Sequence, residues 1–417
     1  MTLEITTPEN VDMSSARLAR IEPVMQAWID NGTIAGASMM VARRNKIVYR
    51  KEIGQMDKEA GIPMADDAIF RIYSMTKPIV CTALMTLFEE GRFQLITPVA
   101  KFIPALGKLK VLGRSPFGIT AEENLRSPIT VGDLLKHTAG FSYDPADDSL
   151  VAEYYRQAQL VHDAGRTLEQ FVETLARFPL AFQPGTKWHY SVSIDVAAHL
   201  IEVLTDRPLG DALRERIFVP LGMADTGFSV AEDKFSRCAA MYGAGDIAGR
   251  DMTGNKLFKA GEEGVWRQLE EVNDSYPVAR PETFARGGHG LFSTTRDYMR
   301  FALMLLNDGA WDGVRILGRK TTELMHTNHL PDALLPFEDA GKIYHGYGFG
   351  LGSRTMMDVG MVGIPGSVGE FGWAGAASTY YWVDPVEQLV GVFMTQYQGP
   401  EEPDKDFRTL TYQAISD

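Results

Sequence analysis

Two textures alternate along the chain: apolar positions spaced three and four apart, and short apolar runs bounded by turn residues. Leu18, Ile21, Met25 and Trp28 recur at helical spacing behind Ser14-Ser15, and Asn31-Gly32 closes the pattern, which predicts one helix. The runs 35–42 and 47–51, separated by Arg43-Arg44-Asn45-Lys46, predict an antiparallel hairpin. Small residues in its first strand imply cover on both faces. Residues 79–88 form an apolar run too long and continuous for a solvent-facing strand. Pro78 is tolerated in a first helical turn and Gly91 is a natural stop, so a buried helix is predicted from near Ser74.

From 95 to 228 the signals are helical and loopy. A short helix opens at Thr130 and halts at His137-Thr138-Ala139-Gly140, and Thr167-Leu168-Glu169-Gln170 resembles a capping box for a helix to Phe178. Amphipathic helices follow at 194–204 and 209–218, before the turn Pro220-Leu221-Gly222-Met223. Residues 229–285 are glycine-spotted and give no assignable pattern. The phrase Gly287-Gly288-His289-Gly290-Leu291-Phe292-Ser293-Thr294 leads into a helix to Leu306, stopped by Asn307-Asp308-Gly309. Strand character returns at 347–351, 376–383 and 389–396, the last two flanking the turn Asp384-Pro385-Val386-Glu387. Residues 407–415 have helical spacing, and Glu401-Glu402-Pro403-Asp404 reads as a solvated connection.

Strands at both ends with helices between predict an α/β fold of the α+β type: an antiparallel sheet of N- and C-terminal strands, flanked by helices. Residues 1–78 and 229–417 would form the sheet domain, 79–228 an inserted, mainly helical domain, with the active site at their interface.

The chain has 417 residues, 45% hydrophobic and 23% charged, so it can bury an ample core. A net charge of −13 argues against a nucleic-acid partner. Residues 1–12 are polar and acidic, and no apolar run reaches the roughly 18 residues a bilayer span needs, so a cytoplasmic protein with no membrane partner is expected. Cys81 and Cys238 are the only cysteines, and Cys81, inside the apolar helix, is expected to be a buried free thiol. No zinc spacing, HExxH or phosphate-cradling glycine loop occurs, so neither a metal nor a cofactor is expected. The sequence carries no signal for an oligomeric state.

Ser74 and Lys77 are three apart, so both project from one face of a first helical turn. A serine hydroxyl becomes a nucleophile when a base within hydrogen-bond reach takes its proton. An amine becomes that base when burial and a helix N-terminus depress its proton affinity. Taken alone, the tetrad reads equally well as an N-cap serine followed by a surface lysine. The partners decide. Phe182-Gln183-Pro184-Gly185-Thr186-Lys187-Trp188-His189-Tyr190 is a turn that presents an aromatic before a helix, either Tyr190 as a proton donor or a packed ring. Gly372-Trp373-Ala374-Gly375-Ala376 is a glycine-flanked strand entry where a backbone N–H can approach a ligand.

These phrases in this order resemble the serine β-lactamase and penicillin-binding-protein superfamily. The likeness is carried by Phe70-Arg71-Ile72-Tyr73-Ser74-Met75-Thr76-Lys77-Pro78, Leu134-Leu135-Lys136-His137-Thr138-Ala139-Gly140 and Tyr190-Ser191-Val192. Pro220-Leu221-Gly222-Met223, the phrase from Gly288 to Thr294, and Trp373-Ala374-Gly375 extend it over nearly the whole chain. It is strongest to the bacterial carboxylesterases of that fold called family VIII. The resemblance implies Ser74 as nucleophile, Lys77 as its base, Tyr190 as the proton carrier, and the backbone N–H groups of Ser74 and Ala376 as the oxyanion hole. Trp373 and Gly375 would border the substrate, with Trp373 either a pocket wall or a sheet-packing residue.

Two departures point to substrate. Val192 replaces an amide that could bind a β-lactam side chain, and Trp373 replaces the lysine that holds the drug's carboxylate. Losing a cation favours neutral, small-molecule acyl esters, while the intact trio stays compatible with weak β-lactam hydrolysis. A β-lactamase or D-amino-acid peptidase, an acyltransferase, and a non-catalytic binding protein are the rivals on this scaffold. His137, His189 and His289 invite a Ser-His-Asp reading, but no Gly-x-Ser-x-Gly elbow occurs, so they are expected to be structural.

Overall fold

The first strand carries apolar side chains on both faces of its pleat, and it lies where both are buried. The computed structural model describes residues 3–114, 120–143, 149–161, 165–243, 267–270, 272–279, 285–339 and 341–417. The strands are β1 (Gly36–Arg43), β2 (Lys46–Asp57), β3 (Ile62–Pro63), β4 (Tyr347–Phe349), β5 (Arg354–Met356), β6 (Phe371–Gly375), β7 (Thr379–Asp384) and β8 (Leu389–Met394). They form one sheet in the order β4-β5-β6-β7-β8-β1-β2-β3, each neighbour antiparallel. Ser38 pairs with Met394, so the N-terminal hairpin completes a sheet made otherwise of C-terminal strands.

Every residue of β1 is buried. Met39 and Val41 enter a cluster with Trp382, Phe393 and Phe407, while Met40 and Ala42 enter one with Tyr298, Val392 and Met394. That is period-two alternation with an apolar layer on each side. Helices α1 (Ile21–Asp30) and α5 (Pro403–Tyr412) cover the first face, and α4 (Thr295–Leu306) the second. Helix α2 (Thr76–Glu89) packs on α3 (Ser193–Thr205). Eleven of its 14 residues are buried, and each large apolar side chain among them contributes about 1.5–3 kcal/mol. A hydrogen-bond pair from Gly91 N to Phe88 O and from Arg92 N to Leu87 O terminates α2 as a Schellman motif.

Several expectations shift. The helix predicted across 15–31 is split into Ser15–Leu18 and α1, because the ring of Pro23 cannot follow a helical turn through Ala19. The first hairpin turns on Arg44-Asn45 alone, both at positive φ (48° and 66°), as a two-residue hairpin turn demands. Strand β2 runs to Asp57, beyond the expected 51. The expected strand 376–383 begins only at Thr379, as β7; Ala376-Ala377-Ser378 is a turn joining it to β6, with Ser378 at φ 56°.

Within 95–228 the capping boxes form at Thr130/Asp133 and Thr167/Gln170, opening Val131–Leu135 and Leu168–Leu175. A hairpin of Lys110–Arg114 with Thr120–Asn124 also lies there, contrary to the strand-free expectation. Val111 and Leu112 are its main apolar residues, too few for an alternating signal. A second unpredicted hairpin joins Phe337–Asp339 to Lys342–Tyr344. The acidic stretch 401–404 is no free connection: Tyr397 donates to Glu401, and buried Pro403 opens α5. Of the unassigned stretch 229–285, residues 244–266, 271 and 280–284 lie outside the described residues. Cys81 is a buried free thiol, and Cys238 is also free.

Candidate active site

A tight turn ahead of α2 exposes one serine from an otherwise buried segment. Tyr73–Met75 forms a 3₁₀ turn that runs directly into α2. Tyr73, a non-glycine residue, is held at φ 42°, in the sparsely populated left-handed region where local strain collects. Its ring is packed on Tyr276 at 4.9 Å, and Ile72 N donates to Leu291 O at 3.0 Å. Phe70–Arg71 pairs with Phe292–Ser293, so the phrase beginning at Gly287 is brought alongside the serine turn. Ser74 is partly exposed between fully buried neighbours.

Two polar groups meet at its oxygen. Lys77 Nζ donates to Ser74 Oγ at 3.1 Å, and the Tyr190 hydroxyl donates to the same oxygen at 2.7 Å. Lys77 Nζ also donates to the Gly288 carbonyl at 2.5 Å and lies 4.4 Å from the centre of the Tyr190 ring. With 1% of its surface exposed, Lys77 is a desolvated amine. Burial pulls its pKa from an ordinary 10.5 down to about 8, against the opposing charges of Asp195 and Asp339. Burial acts the other way on the Tyr190 phenol, raising its pKa, while hydrogen bonding with Ser74 and Trp373 opposes the rise. Near neutral pH the tyrosine therefore keeps its proton, and part of the lysine population gives its proton up.

The segment around His137 is the template for Tyr190. Backbone bonds join Ala181 N to Gly140 O, Gly185 N to Thr138 O, His189 N to His137 O, and Val192 N to Ser142 O, at 2.8–3.2 Å. This zipper explains why the two phrases occur together. The His137 ring lies 4.8 Å from that of Tyr190, and its Nδ1 lies 3.2 Å from Ser191 Oγ. Burial holds His137 well below its usual pKa, so it supports the tyrosine as a neutral ring. His289 is packed edge-on against Tyr276 at 6.0 Å. Neither ring bonds Ser74 in the described geometry.

Trp373 is 5% exposed and stacked on Tyr190 at 5.7 Å, with Phe349 edge-on to it at 5.3 Å. Gly375, two residues on, is required by close approach: a Cβ there would sit 2.4 Å from Ile72 O and 2.2 Å from Thr379 Oγ1. The end of β6 thus rests on the serine turn, with Ala376 next in the chain. Val192 is wholly buried, away from solvent.

Three features escaped sequence reasoning. Asp195 is a buried carboxylate behind Lys77, Asp339 acts on both Lys77 and Tyr190, and Phe337 extends the aromatic wall through Trp188 at 4.4 Å. The negative position in the first turn of α3 was the only signal for Asp195, and it reads as ordinary dipole complementation. Among the described residues no group of three or more His, Cys, Asp or Glu side chains could hold a metal ion. Among them, too, no helix is long and apolar enough to cross a membrane.

Protein Rv1367c of Mycobacterium tuberculosis is 34% identical over 373 residues, covering 88% of this chain and 87% of its own. Esterase EstB of Burkholderia gladioli is 28% identical over 414 residues, 97% of each chain. The solved structure of EstCE1, described as a hydrolase with promiscuous acyltransferase activity, superposes with a TM-score of 0.75 at 25% identity, over 96% of this chain and 99% of its own. The sequence profile of the Beta-lactamase family matches residues 19–414, and the chain belongs to that family as a serine hydrolase of the β-lactamase-like fold.

Proposed function

We propose that the protein is a carboxylesterase that hydrolyses short-chain acyl esters through an acyl-enzyme on Ser74, of the family VIII type. The observation that carries this reading is the single Ser74 oxygen held by both Lys77 and Tyr190, at 3.1 and 2.7 Å. Neutral Lys77 takes the serine proton as Oγ attacks the ester carbonyl carbon. The backbone N–H groups of Ser74 and Ala376 receive the developing oxyanion. Collapse of the tetrahedral species breaks the bond to the alcohol, which takes a proton from Tyr190, and Lys77 returns one to the phenol. Water, deprotonated through the same pair, then releases the acid and restores Ser74. In this reading residues 1–78 and 229–417 act as one discontinuous domain, 79–228 as the second, and the site lies between them.

Charge supports a neutral substrate. Asp195 and Asp339 are the carboxylates acting on Lys77, and aromatic Trp373 stands where a β-lactam carboxylate would need a cation. An anionic β-lactam or D-alanyl peptide would enter against that charge. The likeness to EstCE1, with its described acyltransferase activity, favours one second reading, transfer of the acyl group from Ser74 to an added alcohol.

The deciding experiment is a turnover panel of nitrophenyl esters of increasing chain length beside one chromogenic cephalosporin, with and without an alcohol acceptor. Short esters are expected to be fastest, and Ser74→Ala inactive. A cephalosporin turned over faster than every ester, or activity surviving in Ser74→Ala, overturns the reading. Diversion of product into a new ester by the acceptor establishes acyl transfer as the second activity.

A further inference from the structure

The base Lys77 touches one backbone carbonyl, and that carbonyl belongs to a residue gripped from its other side. Gly288 N donates to Asp195 Oδ1 at 3.0 Å, while Gly288 O accepts from Lys77 Nζ at 2.5 Å. The Gly287 N–H also bonds the Asp195 carboxylate. One residue therefore separates the carboxylate from the amine.

The approach is built for this contact. A Cβ on Gly287 would lie 2.1 Å from Ile194 O, and one on Gly288 would lie 2.6 Å from Asp195 Oδ2. Only consecutive glycines let the segment rest on the first turn of α3. Asp195 is 3% exposed, and burying a lone carboxylate there would be costly. The charges of Lys77 and Arg286 and the two backbone donors offset that cost. The titratable and charged groups facing Lys77 are Asp195 on α3, Asp339 on the hairpin strand Phe337–Asp339, and Tyr143, His137 and Tyr190 on the loops. Cys81 faces it from its own helix. Of these, Asp195 is bonded to the residue whose carbonyl Lys77 itself contacts.

We propose that Asp195 is the positioning residue of the base: it fixes Gly288 so that the carbonyl orients Lys77, and its charge sets how readily Lys77 holds a proton. A neutral amine has one lone pair, and an N–H held on Gly288 O leaves that pair free to face Ser74. The negative charge counteracts the loss of basicity that burial imposes, which keeps the amine strong enough to deprotonate a hydroxyl. This inference rests on the assignment of Lys77 as the base.

The test is kcat and kcat/KM against pH for wild type, Asp195→Asn, Asp195→Ala and Lys77→Ala. Asp195→Asn keeps an acceptor and removes the charge, so the acid limb of kcat/KM moves down by about one pH unit. Asp195→Ala loses the grip as well, and kcat falls about 10- to 100-fold with KM within about twofold. Since the alanine variant leaves a cavity that can weaken folding, the asparagine profile is the deciding readout. An unmoved limb in Asp195→Asn, with kcat within about twofold of wild type while Lys77→Ala is inactive, overturns the inference and leaves the base assignment standing. Wild-type turnover in Lys77→Ala removes the base assignment and this inference together.

Discussion

Lys77 and Arg408 are both 1% exposed, yet their surroundings could hardly differ more. Arg408, on α5, meets Glu370 through two bonds of 2.6 Å and donates also to Pro365 O, while the Tyr412 hydroxyl lies 2.8 Å from both Glu370 and Asp384. Every charge in that cluster is matched by a direct partner, and a guanidinium stays protonated throughout the accessible pH range. Lys77 touches a hydroxyl and a carbonyl, with its nearest carboxylate one residue removed. Burial with a bidentate partner leaves the guanidinium permanently charged, although burial lifts the paired Glu370 carboxyl itself to about 7. Burial without such a partner makes a group that gives its proton away near neutral pH, as the proposed base must.

The contrast is sharpest in Lys77→Met, which keeps an unbranched chain one atom shorter and removes the amine. Turnover of a short nitrophenyl ester is expected to fall by about three orders of magnitude or more, the scale of losing an activating base. Residual activity within tenfold of wild type would break the comparison at its functional end. Next in size is Glu370→Gln, which leaves Arg408 buried with an uncompensated charge. Removing one partner of such a pair costs about 3–5 kcal/mol, read as a lowered denaturation midpoint, with kcat per folded molecule unchanged. A midpoint equal to wild type would show that the pair carries no such stake.

The same Lys77→Met variant should be more stable than wild type near neutral pH. Holding a lysine at about 8 instead of 10.5 costs the folded state about 3 kcal/mol wherever the amine is protonated in both states. The unmet Gly288 carbonyl returns about 1 kcal/mol of that, leaving a gain of about 2 kcal/mol. The sign follows from linkage: the unfolded chain binds the proton more tightly, so wild type recovers stability as pH rises from about 8 to 10.5, and the variant's advantage fades across that window. Urea unfolding at pH 7 and pH 10 measures both. Equal stability at pH 7 would mean that the amine is not strained by burial, and the opposition between activity and stability would vanish.

Much of this was legible because it is local or periodic. The α2 run and the Ser74–Lys77 spacing are helix geometry, and the terminal strands are continuous apolar runs that only a sheet covered on both sides can hide. The hairpin Phe337–Asp339 with Lys342–Tyr344 was not legible, since all but Phe337 are partly or fully exposed and give no alternation. Asp195 was invisible for a different reason. An acidic residue in a first helical turn is explained by the helix alone, and only the close approach of Gly287-Gly288 turns it inward. The turn at Ala376-Ala377-Ser378 was hidden because small residues continue a strand pattern as readily as they break one.

The smallest expected effect concerns substrate charge. Trp373 lies stacked on Tyr190 at 5.7 Å, where the resemblance to β-lactamases would put a lysine, and the carboxylates of Asp195 and Asp339 act on the same region. Trp373→Lys would install a free cation beside the proposed catalytic trio and remove an apolar wall. A single exposed charge contact shifts binding by about 1 kcal/mol, so the ratio of kcat/KM for an acyl ester bearing a terminal carboxylate over its neutral analogue should rise about five- to tenfold. Trp373→Phe is the control, because it keeps an aromatic surface against Tyr190 without a charge, and its ratio should stay at the wild-type value. If the ratio fails to rise in Trp373→Lys, position 373 does not face the substrate. The wall would then be only a support for Tyr190, and the proposed preference for neutral esters would have to come from Asp339 instead.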